Sequence, residues 1–406
     1  MTALPKRPLR ATWLAPDDFG GGIVSVAQAC SRQAALAGHD ATLLLALTPK
    51  GHAAEFGGLR LRSLESPQPH NDIPVRLVKW LAENPQDLLV LNGCEEADVA
   101  IPYIAEPTRI VYVVHDTAER YFASALRYES QIDAIVAVSQ IVGERFRHRL
   151  RDPSKLFVAL NGTVLPDDAA PIPEADRGDD LVFLGGDKPI KGAFDALALW
   201  RSLLTLGFKG KLHWFGEMEP GFRAAVERAP ASERIVIHGR QPRQAIFDAA
   251  ARSKVMLMLS RVEPFGMATI ECMGMGCLPV AWDIPTGTRE IVSENEAAFA
   301  PLGDFEALAR GVLQTLGRHA SLYRASSQRI RAEFSEGAMW SRYQAVFEAL
   351  SRSPPASRPN AGGQPPLYRR PLRIYQLLPP GVRSAIRAFV GRWPRLGYAL
   401  RDLRGR

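Results

Sequence analysis

Short apolar runs without polar alternation recur along this 406-residue chain, each followed by a stretch with helical spacing. The first set is RATWLA (10–15), HDATLLLAL (39–47), DLLVLN (87–92), RIVYVVH (109–115), AIVAVS (134–139) and KLFVALNG (155–162). A strand that is apolar on both faces must be buried on both faces. Strands of that kind alternating with helices predict a parallel sheet covered on each side. TVLPDDAAPIPEADRGDD (163–180) then interrupts the pattern with Pro and Asp, as an interdomain connection does. The pattern restarts with LVFLGG (181–186), KLHWFG (211–216), RIVIHG (234–239), KVMLMLS (254–260) and CLPVAW (277–282). The expectation is an α/β chain of two doubly wound parallel-sheet domains facing a cleft, with ligands at the C-terminal strand ends. The length, too great for one core, agrees. The domains are read as 1–165 and 166–351, with the terminal helix EGAMWSRYQAVFEALS (336–351) closing the second or returning to the first. A Pro/Gly-rich linker (352–371) and a basic tail (372–406) follow.

Charge is unevenly distributed. Residues 352–406 hold twelve arginines against a single acid, Asp402, a net +11, so the other 351 residues carry −4 of the overall +7. The four cysteines form no CxxC pair, which argues against a zinc or disulfide framework and for a reducing compartment. No run of about 20 apolar residues predicts a membrane span, and MTALPKRPLRATWLAP lacks the apolar core of a signal peptide. The expected location is cytoplasmic, peripheral on the inner face of the cytoplasmic membrane.

EPFGMATIEC carries the chemistry. Glu263 follows the strand run KVMLMLS and so stands at the C-terminal end of that strand. Pro264 suits a turn, and Gly266 lets the backbone approach a ligand. A helix starting near Met267 would offer free amides and its positive dipole end to a phosphate, with Glu271 a little over one turn inside. Two carboxylates flanking an anion site are placed to accept hydrogen bonds from neutral hydroxyls on either side. A nucleotide sugar has hydroxyls on both sides of a phosphate pair. The alternative for an isolated pair of glutamates is two solvated acids; the strand, turn and helix context weighs against it.

EPFGMATIECMGMGCLPVAW resembles the E-x7-E signature of the retaining family 4 glycosyltransferases, which have the GT-B fold of two Rossmann-like domains. DFGGGIVSVAQACSRQAALAGHDATLL is similar to that family's opening glycine loop and later G-H-x-x-T. NGT (161–163) and FLGGDKPIKG (183–192) are similar to its later motifs, and the resemblance covers about residues 10–350. It implies that Glu263 binds hydroxyls of the transferred sugar. Backbone amides around Phe265, Gly266 and Met267 would hold sugar and phosphate, Glu271 the ribose, and Lys191 the diphosphate leaving group. Gly21 and Gly22 would let the first domain approach the phosphates, and His115 would lie near the reacting centre. Alone, His115 reads equally as a structural histidine capped by Asp116. Gly186 stands where the family usually has Arg; Lys188 is the candidate to supply that charge, and Arg at 186 is expected to be tolerated.

The resemblance implies transfer of a hexose-type sugar from a nucleotide-diphosphate sugar to a hydroxyl, with retention, in bacterial envelope or exopolysaccharide synthesis. Domain closure would exclude water. The donor is a co-substrate; no cofactor and no metal is expected. The partners are the donor, a glycan or lipid-linked acceptor, and an anionic membrane surface for 372–406. There Val382, Ile386, Phe389, Val390 and Trp393 fall at helical spacing away from Arg383 and Arg387. Packing of the tail on the first domain, or an extended tail enriched in Arg by codon bias, are its alternatives; the acidic body argues against nucleic acid. The rival functions are a GT-B sugar-nucleotide epimerase or phosphorylase and a non-catalytic sugar-binding protein. FGGGIVS lacks the G-x-G-x-x-G of a dinucleotide oxidoreductase.

Overall fold

The unalternating apolar runs form central strands: every residue of 88–92 and 109–114 is buried. The computed structural model describes residues 7–17, 21–47, 59–166 and 177–369, together with 379, 381 and 382. Unit 1 joins the chain up to Thr163 with a return from Glu336, and unit 2 spans Val164–Ser335.

Unit 1 runs β1 (Arg10–Ala15), α1 (Gly22–Leu36), β2 (Asp40–Leu47), β3 (Arg60–Ser66), α2 (Ile73–Glu83), β4 (Leu88–Asn92), α3 (Glu95–Asp98), β5 (Arg109–Val114), α4 (Ala123–Arg127), β6 (Ala134–Ala137), α5 (Gln140–Arg147) and β7 (Leu156–Val158). All pairings are parallel, in the order β3-β2-β1-β4-β5-β6-β7. Unit 2 runs β8 (Gly178–Phe183), α6 (Ala193–Thr205), β9 (Leu212–Phe215), α7 (Pro220–Glu227), β10 (Ile235–Gly239), α8 (Arg243–Arg252), β11 (Ser253–Met258), α9 (Met267–Gly274), β12 (Leu278–Trp282), α10 (Thr288–Ile291), β13 (Ala298–Ala300), α11 (Phe305–Leu316) and α12 (Ala320–Glu333). Its sheet is also parallel, in the order β10-β9-β8-β11-β12-β13. Strand order reverses at β1/β4 and at β8/β11, the crevices where open α/β sheets bind ligands.

β3 and β13 were not foreseen. Both are sheet edges: β3 reads RLRSLES with charged residues on one face, and β13 is only three residues long.

Helix α13 (Glu336–Arg352) completes unit 1. Its Trp340 ring lies 6.3 Å from that of Trp13 on β1, and Glu336 pairs with Arg32 of α1 at 2.8 Å. In unit 2, buried Trp200, Trp214 and Trp282 anchor the core. Each indole N–H is satisfied: Trp200 by the Pro230 carbonyl, Trp214 by the Gly186 carbonyl, Trp282 by Asp195.

The stretch expected as a linker, 352–371, is corrected as far as residue 369: it is a strap fastened along unit 1. Arg358, fully buried, donates to Asp133 Oδ2 at 2.9 Å, and Asp133 Oδ1 takes Arg109 at 2.7 Å. The Ala356 amide donates to Asp133, Gly362 N to the Tyr103 carbonyl, and Tyr368 N to the Asn71 carbonyl at 2.7 Å. Composition misled because Pro and Gly suppress helix and strand, not attachment. The tail at 372–406, apart from the three positions named, lies outside the described residues. Among the described residues no helix is long and apolar enough to cross a membrane.

Candidate functional site

Unit 2 gathers its chemistry where β8 and β11 end side by side. Beyond β8 the chain turns tightly through Gly185 and Gly186 and a 3₁₀ turn at Pro189–Lys191 before Gly192 opens α6. Beyond β11 it passes Ser260 and Glu263 to Gly266, which caps α9 at φ 112°. The Lys191 Nζ donates to Glu263 Oε2 at 2.8 Å, and Ser260 Oγ donates to the same oxygen at 3.0 Å. Both donors use one carboxylate oxygen. Glu263 Oε1 accepts nothing among the described residues. Lys191 keeps two of its three donors. The Glu263 side chain is only 10% exposed and Lys191 is 38% exposed, so the acid is held and the ammonium faces solvent. The Gly287 amide ties down the Glu263 carbonyl at 2.8 Å.

At the start of α9, the amides of Gly266, Met267 and Ala268 donate to no group among the described residues, as the first turn of a helix leaves them. Phe265 contributes backbone only: its ring is buried, 6.1 Å from that of Phe334. Glu271 is not in the Lys191–Glu263 group. It pairs with Arg243, at the start of α8, at 2.6 Å; burial pushes its carboxyl above the usual range and Arg243 opposes the shift. Lys188 is exposed, with no ion pair among the described residues.

Gly186 overturns the expectation that Arg would be tolerated there. Its φ is +53°, and a Cβ would come 2.5 Å from the Glu217 carbonyl oxygen. Gly216 at φ +111° faces it equally closely, a Cβ there meeting the Gly186 nitrogen at 2.6 Å. The two turns pack backbone to backbone, which only glycine permits.

In unit 1, Gly21 and Gly22 open α1 beyond β1, with Gly21 at φ 153°. His115 follows β5. Its Nε2 lies 3.1 Å from Asn92 Oδ1 at the end of β4. The Asn92 Nδ2 donates to the Leu14 and Val90 carbonyls, so Oδ1 is an acceptor, Nε2 carries the proton and Nδ1 keeps its lone pair. Burial lowers the His115 pKa to about 3, so the ring is neutral. No group of three or more metal-ligating side chains occurs among the described residues.

Sequence reasoning passed over three of these residues. Ser260 and Asn92 carried a signal, being polar residues that end apolar strand runs and so stand at the C-terminal sheet edge. Arg243 carried none, since its pairing depends on how α8 meets α9.

A family model described as Glycosyltransferase Family 4 matches residues 20–165, and one described as Glycosyl transferases group 1 matches residues 178–318. Among solved structures, Anabaena Alr3699/HepE in complex with UDP and glucose superposes with TM-score 0.68 at 15% identity, over 84% of this chain and 100% of that one. The lipopolysaccharide outer core galactosyltransferase WaaB, apo form, gives 0.64 at 15%, over 84% and 99%. A curated relative, the GDP-mannose:cellobiosyl-diphosphopolyprenol alpha-mannosyltransferase of Xanthomonas campestris, is 25% identical over 193 residues, 47% of this chain and 49% of the relative. The chain thus spans about half the length of the curated relatives it matches. With one model on each parallel-sheet unit and the two together spanning most of the chain, this protein has the GT-B fold and belongs to the family 4, group 1 glycosyltransferases.

Proposed function

We propose that the protein moves a hexose-type sugar, with retention, from a nucleotide-diphosphate sugar to a hydroxyl of a lipid-linked or glycan acceptor in envelope polysaccharide synthesis. The observation that carries this reading is the Lys191–Glu263–Ser260 group beside the open α9 amides. Glu263 Oε1 accepts a sugar hydroxyl, while Ser260 and Lys191 hold the carboxylate in place. The two remaining Lys191 donors and the amides of Gly266, Met267 and Ala268 meet the diphosphate, where negative charge builds as the glycosidic bond breaks. Glu271 takes a ribose hydroxyl, Lys188 adds charge at the turn, and Gly21 and Gly22 bind phosphate through their backbone. His115 Nδ1, a neutral acceptor, takes a hydroxyl of the transferred sugar. The acceptor hydroxyl attacks from the face that the diphosphate leaves, and the departing phosphate takes its proton, so no side-chain base is required. The chemistry is assigned to these charges and amides, with no metal.

GDP-mannose and UDP-glucose are the first donors to test, because the curated relative is named for the one and the Anabaena structure holds UDP and glucose. A lipid-linked acceptor would place the enzyme at the inner membrane face, with residues 372–406 on anionic lipid at about 1 kcal/mol per arginine near the surface. The test is product formation across a donor panel, with the anomeric configuration read by NMR. An inverted product refutes retention, and free epimerised donor or phosphorolysis refutes transfer.

A further inference from the structure

Unit 1 has a polar pocket of about 340 Å³ lined by Arg10, Asp40, Arg60, Arg62, Trp80 and Asn84, among others. It lies toward the N-terminal ends of β1, β2 and β3, the opposite strand ends from Gly21, Asn92 and His115. The elements explain how it forms. The register pairs Arg10 with Asp40 and sets Arg60 and Arg62 beside Thr42 and Leu44, so alternation along edge strand β3 puts both arginines on one sheet face. Helix α2 runs back from β3 to β4, and its last turn and cap bring Trp80 and Asn84 there.

Three guanidiniums share this pocket with one carboxylate, Asp40, which is paired with Arg60. Arg62 ion-pairs with no carboxylate among the described residues; its Nη1 donates to the Leu61 carbonyl at 3.0 Å. Among the described residues Arg10 makes only one long ion pair, to Asp87. Its Nε is buried without a hydrogen bond, 3.8 Å from Asp87 Oδ2. Arg7 and the Arg10 amide already occupy both Asp87 oxygens. The guanidiniums reach solvent, Arg10 at 43% and Arg60 at 52% side-chain exposure, and they outnumber the carboxylates that line the pocket; an acid bound there would gain charge-assisted hydrogen bonds from them. Trp80, half-buried, adds an aromatic surface, and the volume falls within the range of small-molecule pockets.

We propose that this pocket binds an anionic saccharide, a sugar ring carrying a carboxylate or a phosphate. Arg62 and Arg10 grip the acid, and the ring lies against Trp80 with its hydroxyls toward Asn84. The pocket holds an acidic glycan unit at strand ends remote from the proposed transfer chemistry, and its occupancy does not depend on that chemistry.

The test is titration calorimetry of the full chain with methyl glucuronide and glucose 6-phosphate, against methyl glucoside and inorganic phosphate. At least one acidic sugar binds about tenfold more tightly than either reference, and Arg62→Glu weakens it by a further factor of about ten, as loss of a charge-assisted hydrogen bond requires. Trp80→Ala weakens the sugar and not phosphate. Which acidic sugar binds names the acid. Phosphate alone binding as tightly as the sugars, methyl glucoside binding equally, or unchanged binding in Arg62→Glu overturns the proposal. Arg62 is exposed and outside the core, so that variant folds.

Discussion

Gly186→Arg installs the arginine that the family resemblance implies at this position, and the structure says that it harms the protein. Any side chain at 186 must accept φ +53°, at about 1–3 kcal/mol. Its Cβ must also clear the Glu217 carbonyl oxygen, 2.5 Å away. Neither partner is the far end of a flexible side chain. Gly186 is held by its amide on the Phe215 carbonyl at 2.9 Å and by Trp214 on its own carbonyl at 2.8 Å, and Glu217 accepts the Asp187 amide at 3.1 Å. Overpacking of this kind costs about 1–3 kcal/mol. The sum, roughly 2–6 kcal/mol, lowers the melting temperature by roughly 4–24 °C for a unit of this size. The assay is thermal unfolding followed by circular dichroism, with Gly186→Ala as the companion. Alanine bears the same backbone and Cβ penalty without the charge, so both variants should fall. Activity per folded molecule should not rise in Gly186→Arg, because the displaced turn carries Lys191. A variant with wild-type melting and faster turnover would refute the steric argument.

Glu263→Gln removes the charged acceptor and is expected to lower turnover by about ten- to a hundredfold, from roughly 1.5–3 kcal/mol per charged hydrogen bond; wild-type donor turnover would move the site elsewhere. Lys191→Ala should reduce kcat more than it raises KM, since its charge acts on the developing diphosphate. His115 has a folded pKa below its unfolded value, so its contribution to stability is full above about pH 6.5 and is lost as pH falls toward 3. His115→Gln should therefore narrow the gap between unfolding free energies measured at pH 7 and pH 4 in urea. Asp133→Asn leaves Arg109 and Arg358 buried without their shared carboxylate and should cost about 3–5 kcal/mol in unfolding free energy. A chain ending at Arg369 keeps the strap, so comparing it with the full chain in flotation on anionic liposomes isolates residues beyond 369; equal recovery would remove the membrane role.

Central strands were legible because burial on both faces demands unbroken apolar runs, and β1, β4, β5 and β11 obey that demand. Edge strands β3 and β13 escaped because one side meets solvent or a single neighbour, where polar or very short segments suffice. Glu263 and Gly266 were legible as candidates through spacing and turn residues, and Lys191 only through the family resemblance of FLGGDKPIKG. The ring tautomer of His115, the grip of Ser260 and the pairing of Glu271 with Arg243 depend on tertiary approach, which no local pattern encodes. The backbone contact at Gly186 is the sharpest case. The sequence shows a missing arginine, and only the turn opposite shows why glycine is required.

Because α13 and the strap come after unit 2 in the chain, unit 1 is interrupted in synthesis. When Thr163 leaves the ribosome, the surface around Trp13 and α1 that α13 covers is still bare, and Asp133 has Arg109 but not Arg358. The ribosome must then make residues 164–335, about 10–35 s at 5–20 residues per second. Unit 2, contiguous, can finish folding in that interval, whereas the earlier-made unit waits with apolar surface open to chaperones and to other nascent chains. The order of completion is therefore the reverse of the order of synthesis, and truncations that spare every proposed site residue but remove α13 should yield aggregates.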